Sequence, residues 1–452
     1  MGSALTKSSA VSPARSAAYE ILRRVEDTSA FASVLLVHRA KELNPNDRAL
    51  THELVLGVLR WQLWLTRLIE HYSNRNVSTL DPSIRTILSL GLYQLRFLTR
   101  VPPSAAVNES VKLVRQARLR SAEGFVNAVL RRATREPDYD PVTEARDENE
   151  RLAVKTSHPA WLIQRWTNAF GAAEAESFAL ANNRQAPVAF RITSLLGQPA
   201  DEVLNRLRSA GANLQPSLIA KDGWRVEGSP EEVRELVREG RIYLQDEASQ
   251  LVAEILGARP EDTILDLCAA PGGKATLIAE QLVEGRIIAG DLHEHRARII
   301  EQTSRQQRLD RLSCVVLDAS QPLPFPDQSF DRVLLDAPCS GTGTLRRNPE
   351  IKWRISPGDV RDLATRQRLL LEQGARAVKV GGRLVYSTCS VEPDENEDVI
   401  ADFLRRESEF KLAEIPGSAS LKTPSGAIRT WPQHQGSDGF FIVALSRQRP
   451  HR

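Results

Sequence analysis

The chain has 452 residues, of which 41% are hydrophobic and 26% are charged, and its formal net charge at pH 7 is +3. This is the composition of a globular protein with two or three domains, and no apolar run approaches the ~20 residues of a membrane span. The N-terminal residues lack the apolar region of a secretory signal, and the cysteines lack CxxC or Cys/His zinc spacing, so we expect a reduced, cytoplasmic protein without a metal.

The positive charge is concentrated in the first third of the chain. Residues 1–140 contain 20 Lys and Arg against 13 Asp and Glu, whereas acidic residues are in slight excess beyond them. A basic N-terminal part is typical of proteins that bind a polyanion such as RNA, although a solvent-exposed, arginine-rich surface without a partner is equally consistent with these counts.

Residues from about 13 to 135 predict one helix after another, because apolar residues recur at helical spacing. The segment from 47 to 72 has Asn46 or Asp47 as its predicted N-cap, and the segment from 82 to 98 has Pro82 in its first turn. The basic residues of this region that are candidates for facing RNA are Arg115, Arg118, Arg120, Arg131 and Arg132. The stretches GLYQLRFL, VNESVKL and GFVNAVLRR resemble the helical RNA-binding domain of the NusB family, over roughly the first 140 residues.

A polar stretch with two prolines, REPDYDPVTEARDENE at residues 135–150, is the best candidate for a linker. The amphipathic helix after it carries Trp161 and Trp166, which we expect to be buried. Strands and helices then alternate up to about residue 245 and predict a small α/β module of the split βαβ, RRM-like type. The predicted domains are therefore 1–140, 150–245 and 246–452.

From Asp246 onward, near-continuous apolar strands alternate with helical segments, which predicts a parallel sheet covered by helices on both faces. Ligands of such Rossmann-like sheets bind at the carboxyl ends of the strands. Four carboxylates occupy those positions in the predicted strands, namely Asp266, Asp291, Asp318 and Asp336. One such residue is often a helix or turn cap, but four in succession favour a ligand site.

The stretch ILDLCAAPGGKAT, residues 264–276, predicts a strand, a tight loop and a helix. We expect Gly272 and Gly273 to supply positive φ and to let a ligand approach the backbone. The loop is neither a GxGxxG nor a P-loop sequence. Asp291 follows it by about 20 residues, which suits a ribose, and too few cations are nearby to favour a pyrophosphate, so S-adenosylmethionine fits. A structural turn without a ligand is the alternative.

Two cysteines end predicted strands that follow one another in the sequence, Cys339 in DAPCSGTG and Cys389 in STCS. If these strands pair, they lie ~4.8 Å apart, and both thiols are beside the predicted cofactor. A single cysteine in such a place is ordinarily a small buried apolar residue. Two of them, each flanked by small polar residues, favour a chemical role.

The motifs CAAPGGK, DAPCSGTG and STCS, followed by PDENE and DGFFIVAL, resemble the NOP2/Sun family of RNA cytosine-C5 methyltransferases over about residues 246–445. Together with its NusB-like front, the chain resembles the bacterial members that act on 16S rRNA. The resemblance implies a Rossmann-like domain with a mostly parallel seven-stranded sheet. It also implies methyl transfer from S-adenosylmethionine to C5 of cytosine through a covalent Cys–C6 adduct.

The same resemblance assigns roles to individual residues. Cys389 is the nucleophile, Cys339 assists release of the product, and Asp336 holds the edge of the base. Asp291 takes the ribose and Asp318 takes the adenine amine. The full cofactor-binding set is Cys268, Ala269, Ala270, Pro271, Gly272, Gly273, Lys274, Asp291, Asp318 and Asp336.

The segment LRRNPEIKWR interleaves cations with an indole, which suits a strand of RNA whose target base is flipped into the site. Its candidate RNA-binding residues are Arg346, Arg347, Lys352, Trp353 and Arg354. A structured surface loop is the alternative.

Several further alternatives stay open. The two thiols could exchange roles, as in the DNA cytosine methyltransferases, and Lys274 either lowers a thiol pKa or pairs with Asp336. The substrate could be tRNA or another rRNA cytosine, or the chain could be an inactive NusB-like assembly factor, against which the presence of both cysteines argues. We expect a monomer that acts on free 16S rRNA or on a 30S assembly particle.

Overall fold

The computed structural model describes residues 10–194, 197, 199–415 and 419–449. They form two compact units, of which the first comprises residues up to Gln185 together with 345–354, and the second comprises the remainder. Among the described residues, no helix is long and apolar enough to cross a membrane.

The first unit is built from α-helices whose apolar faces meet in a core, where Leu54, Leu65 and Ile87 are fully buried. Pro82 is in the first turn of its helix, as predicted. The helices are α1 (Pro13–Asp27), α2 (Ala32–Ala40), α3 (Pro45–Arg60), α4 (Gln62–Ser73), α5 (Pro82–Phe97), α6 (Pro103–Gln116), α7 (Glu123–Arg135), α8 (Glu148–Thr156), α9 (Ala160–Phe170), α10 (Ala172–Asn182) and, from the later segment, α16 (Ile351–Arg354).

The helix predicted from 47 to 72 differs from the structure at its start and in its middle. Its N-cap is Asn44, which accepts a hydrogen bond from the backbone N–H of Asp47 at 2.9 Å, so the prediction of Asn46 or Asp47 is wrong. Pro45 fits the first helical position because that position needs no N–H donor. The helix is also interrupted, because Trp61 leaves helical geometry (φ −103°, ψ 20°) between α3 and α4.

The predicted linker at residues 135–150 is packed rather than extended. The ring of Tyr139 stacks on His71 of α4, with centroids 3.5 Å apart. Beyond it, Trp166 is fully buried as predicted, whereas Trp161 is half-buried. The three predicted domain boundaries stay predictions.

The second unit begins with the predicted split βαβ module. Its antiparallel sheet has the strand order β2-β3-β1-β4, and Phe190, Leu207 and Leu236 are buried between the sheet and its two helices. The short β2 was not predicted. The elements are β1 (Val188–Ile192), α11 (Ala200–Ser209), β2 (Asn213–Pro216), β3 (Gly223–Glu227), α12 (Pro230–Arg238) and β4 (Ile242–Leu244).

A larger sheet follows, with the strand order β10-β12-β9-β8-β5-β6-β7 and with β11 beside β12. Strands β5 to β9 are parallel, and β10, β11 and β12 pair in antiparallel fashion, which confirms a mostly parallel sheet. The sheet has eight strands rather than the expected seven, because the two-residue β11 pairs with β12. Its strands are β5 (Thr263–Asp266), β6 (Arg286–Asp291), β7 (Leu312–Val316), β8 (Phe330–Asp336), β9 (Val378–Thr388), β10 (Phe410–Leu412), β11 (Ile428–Arg429) and β12 (Phe441–Arg447). Its helices are α13 (Glu247–Leu256), α14 (Gly273–Ala279), α15 (Glu294–Gln306), α17 (Pro357–Ala377) and α18 (Glu397–Arg406).

The parallel strands place their carboxyl ends along one edge of this sheet. Asp266, Asp291 and Asp336 are the last residues of β5, β6 and β8, and Asp318 lies two positions beyond β7. The four predicted carboxylates therefore follow four strands of the same parallel set.

Candidate active site

The two predicted cysteines lie next to each other at the carboxyl ends of the parallel strands. Strands β8 and β9 are neighbours, and their register places Asp336 opposite Ser387. Cys339 follows the first strand and Cys389 follows the second, and their sulfur atoms are 3.3 Å apart. The pairing of these two strands, on which the prediction depended, thus brings the two thiols together.

The two sulfurs are within hydrogen-bonding distance of each other, and either of them can be the donor. The hydrogen bond to Cys389, followed by burial, raises the pKa of Cys339 well above its usual range. The contact therefore disfavours the thiolate form of Cys339 while both thiols are free.

A salt bridge lies beside the thiols. Lys274 donates to Oδ2 of Asp336 at 2.6 Å, and the hydroxyl of Ser387 donates to Oδ1 at 2.7 Å. Burial alone would lower the pKa of Lys274, but the Asp336 carboxylate outweighs it and the pKa is raised, with a smaller contribution from Cys389. Of the two predicted alternatives for Lys274, the structure shows the pairing with Asp336.

Gly272 and Gly273, in the loop before α14, are required to be glycine by different structural features. Gly272 has φ +104°, as expected, and a Cβ there would also approach Ile300 at 3.3 Å. Gly273 does not have positive φ, so that expectation is wrong. A Cβ at Gly273 would lie 2.9 Å from the ring of Tyr243, so the missing side chain makes room for that ring. The approach of a ligand to this loop stays a prediction.

Asp266 is the most unusual carboxylate of the site. It is buried, its Oδ1 accepts from the backbone N–H of Cys268 at 3.4 Å, and its Oδ2 has no hydrogen-bond partner among the described residues. Burial, followed by the nearby Asp336 carboxylate, raises the pKa of Asp266 to about 7. A buried polar atom without a partner is costly, so a donor from outside the chain fits here.

The other two predicted carboxylates have partners within the chain. Asp291 is buried and accepts from the backbone N–H groups of Ala270 at 3.4 Å and His293 at 3.2 Å, which ties the end of β6 to the glycine loop. Asp318 is exposed, and hydrogen bonds from the hydroxyl and backbone N–H of Ser320 lower its pKa.

Sequence reasoning missed one residue of this site. Glu395, in the PDENE motif, is fully buried, and its carboxylate bonds the residues that follow each cysteine, Ser340 and Ser390. A carboxylate inside a motif that follows a cysteine was the available signal. Among the described residues, no group of three or more His, Cys, Asp or Glu side chains could hold a metal ion.

The segment 345–354 belongs to the first unit and packs on its helices. Lys352 is buried and donates to the backbone carbonyl of Arg60 at 2.9 Å, and burial lowers its pKa well below the usual range. The indole N–H of Trp353 donates to the carbonyl of Leu59 at 2.7 Å.

The arginines of this segment are also engaged with the first unit. Arg354 donates to carbonyls at and after the end of α1, including that of Val25 at 2.6 Å. Arg346 is buried, and Arg347 is half-buried. RNA binding by the five residues of the segment stays a prediction, and the contacts seen here fix the segment to the helices.

Comparison with known proteins agrees with this architecture. Residues 253–446 match the family described as 16S rRNA methyltransferase RsmB/F, residues 12–135 match the NusB family, and residues 158–231 match the ferredoxin-like domain of RsmF/B-like methyltransferases. The probable ribosomal RNA small subunit methyltransferase B of Synechocystis sp. is 38% identical over 96% of this chain and 99% of that protein. The same-named protein of Bacillus subtilis is 32% identical over 96% and 98%. The crystal structure of PH0851 aligns with a TM-score of 0.84 and 27% identity, covering 97% of this chain and 99% of that one.

Proposed function

The chain belongs to the 16S rRNA methyltransferase RsmB/F family, and we propose that it methylates C5 of a cytosine in 16S rRNA with S-adenosylmethionine as the methyl donor. The observation that carries this proposal is the pair of thiols 3.3 Å apart at the ends of β8 and β9. Methyl transfer to an oxygen or nitrogen of RNA needs no protein thiol. Transfer to C5 of cytosine does, because C5 is a weak nucleophile until a thiolate has added at C6.

The residues at the strand ends fit the cofactor. The unpartnered, buried Oδ2 of Asp266 would accept a hydrogen bond from the amino group in the methionine part of S-adenosylmethionine. We assign the ribose to Asp291 and the adenine amine to Asp318, with the loop from Cys268 to Lys274 as the cradle. When bound, the cofactor supplies an electrophilic methyl group.

The chain's own residues carry the remaining steps. The thiolate of Cys389 adds to C6, and the electron pair displaced from the C5–C6 double bond makes C5 nucleophilic toward the methyl group. Asp336, fixed by Lys274 and Ser387, accepts from the amino group at the edge of the base, and the Lys274 ammonium beside it offsets negative charge that develops on the ring. Cys339, as a thiolate after giving its own proton to solvent, then takes the C5 proton. The electron pair of the C5–H bond re-forms the C5–C6 double bond, and the Cys389 sulfur leaves C6 with the electron pair of the C–S bond, which restores the aromatic ring.

The proposal is tested by incubating the protein with radiolabelled S-adenosylmethionine and, separately, unmodified 16S rRNA, 30S particles and tRNA. We expect label in 16S rRNA, free or in particles, and 5-methylcytidine as the labelled nucleoside. Label in tRNA alone would overturn the choice of substrate, and label in another nucleoside would overturn the chemistry. No label in any RNA would favour an assembly factor, a role that the NusB match and the basic N-terminal part also allow.

The protonation of Asp266 predicts a pH dependence of cofactor binding. A pKa of about 7 means that the carboxylate loses its charge as pH falls through 7, so a ligand amino group held by that charge binds more weakly in acid. We expect the Kd of S-adenosylhomocysteine, measured by calorimetry, to rise towards tenfold per pH unit below about pH 6. Asp266→Asn should remove this slope, whereas Asp318→Asn should retain it. A flat wild-type profile between pH 5 and 7 would contradict the assignment.

Two loops carry the cysteines, residues 337–344 after β8 (the Cys339 loop) and residues 389–392 after β9 (the Cys389 loop). Close backbone packing of the Cys339 loop against the Cys389 loop and against Gly439 predicts a severe effect of Gly343→Ala. The N–H of Gly343 donates to the carbonyl of Cys389 at 2.9 Å, and a Cβ there would lie 1.9 Å from the carbonyl oxygen of Gly439. Because only backbone movement relieves this clash, we expect kcat to fall about 100-fold while S-adenosylhomocysteine still binds. Gly358→Ala, whose Cβ would be 3.5 Å from its nearest neighbour, is the matched control; equal activity of the two variants would refute the argument.

A further inference from the structure

We propose that Glu395 is a positioning residue that holds the loops of Cys339 and Cys389 at reactive distance from each other. Its consequence for turnover rests on the cytosine-C5 reaction proposed above, whereas its consequence for thiol geometry does not. No part of the reaction passes through Glu395 itself, which bonds the neighbours of the two cysteines.

One carboxylate connects both cysteine loops. Oε1 of Glu395 accepts from the backbone N–H of Ser340 at 2.8 Å and from the side-chain amide of Gln367 at 2.9 Å. Oε2 accepts from the hydroxyls of Ser340 and Ser390. Ser340 directly follows Cys339, and Ser390 directly follows Cys389, so this side chain fixes the separation of the two backbones.

Glu395 is in turn held by the elements around it. Its own backbone carbonyl accepts from the hydroxyl of Tyr386 in β9 at 2.5 Å. The next residue, Asn396, donates its amide to the carbonyl of Ser390 at 2.9 Å and accepts from the hydroxyl of Thr388 at 2.6 Å. All four groups on the carboxylate can donate, and their hydrogen bonds favour the ionised form. Burial opposes them and is the largest influence, so the pKa of Glu395 is raised.

This geometry separates the effects of length and of charge. Glu395→Gln has the same length, and the two serine hydroxyls can rotate to accept from its amide NH₂ while its oxygen accepts from Ser340 and Gln367. Glu395→Asp is one methylene shorter and cannot reach both loops. A displacement of ~1 Å between reacting groups lowers a rate by about 100-fold. We therefore expect kcat to fall about that much for the Asp variant and by less than about tenfold for the Gln variant.

Two further measurements distinguish a change in the position of the cysteines from a loss of substrate or cofactor binding. We expect the KM for RNA and the Kd of S-adenosylhomocysteine to stay at wild-type values in both variants. The matched control is Glu397→Gln, in the same segment, because Glu397 pairs with Arg429 and not with the cysteine loops. Equal losses of kcat for the Gln and Asp variants, or loss of cofactor binding and thermal stability in step with kcat, would overturn the proposal.

A measurement without RNA separates this proposal from the proposed function. Diamide oxidises neighbouring thiols to a disulfide and is itself reduced to a hydrazine, and the Cys339–Cys389 cross-link can be followed by mass spectrometry of proteolytic fragments. We expect cross-linking to be slower in Glu395→Asp than in the wild type and in Glu397→Gln. An unchanged rate would overturn the positioning role, whereas slower cross-linking in a protein that methylates no RNA would support that role and reject the proposed reaction.

Discussion

Cys389→Ala is expected to lower the rate of methylation of 16S rRNA by on the order of 10⁴-fold or more, as removal of a covalent nucleophile does in other enzymes. Without the thiolate, no group adds at C6, and C5 of cytosine keeps the weak nucleophilicity of an aromatic carbon. The fold should survive, because the carbonyl of residue 389 still accepts from Gly343. The measurement is single-turnover transfer of a labelled methyl group, with binding of S-adenosylhomocysteine measured in parallel.

The matched control for this variant is Cys314→Ala. Cys314 is also half-buried, but it lies within β7 rather than in either cysteine loop. Its loss should leave the methylation rate near that of the wild type. If Cys389→Ala retained a rate within tenfold of the wild type while binding the cofactor normally, the assignment of Cys389 as nucleophile would be wrong.

The meeting of the two thiols could be predicted from the sequence because it depends on short-range patterns. Apolar runs ending in Asp336 and Thr388 predict two strands, and sequential strands of a parallel sheet are usually neighbours. The observed pairing of β8 with β9 follows that rule. The four strand-end carboxylates could be predicted for the same reason.

The features of the site that could not be predicted depend on contacts between residues far apart in the sequence, which no local pattern encodes. The carboxylate of Glu395 joins Ser340, Gln367 and Ser390, which lie on three separate segments, so its role appears only when those segments have folded together. Lys352 shows the same limit. No local pattern shows that its amine donates to a carbonyl 292 positions earlier, and the RNA binding that its neighbours predict stays a prediction.

The wrong prediction of the N-cap of α3 is explained by the presence of several possible capping residues next to one another. Asn44, Asn46 and Asp47 are all good capping residues within four positions, and Pro45 decides between them because it takes the first helical position. The break at Trp61 had no signal, since the apolar period continues from α3 into α4.

Cys339→Ala is expected to give a different phenotype from Cys389→Ala, namely an accumulated covalent RNA–protein adduct. Cys389 can still add to C6, but the thiol that takes the C5 proton is missing. The C5 proton is then removed only by water, which lowers turnover by about 10²- to 10⁴-fold.

A denaturing gel of the variant with labelled 16S rRNA should show a shifted band that carries both label and protein. The double variant Cys339→Ala/Cys389→Ala should show no such band, because the adduct needs the Cys389 sulfur, and wild-type protein should show little because the adduct decays. An adduct in Cys389→Ala and none in Cys339→Ala would exchange the roles of the two cysteines.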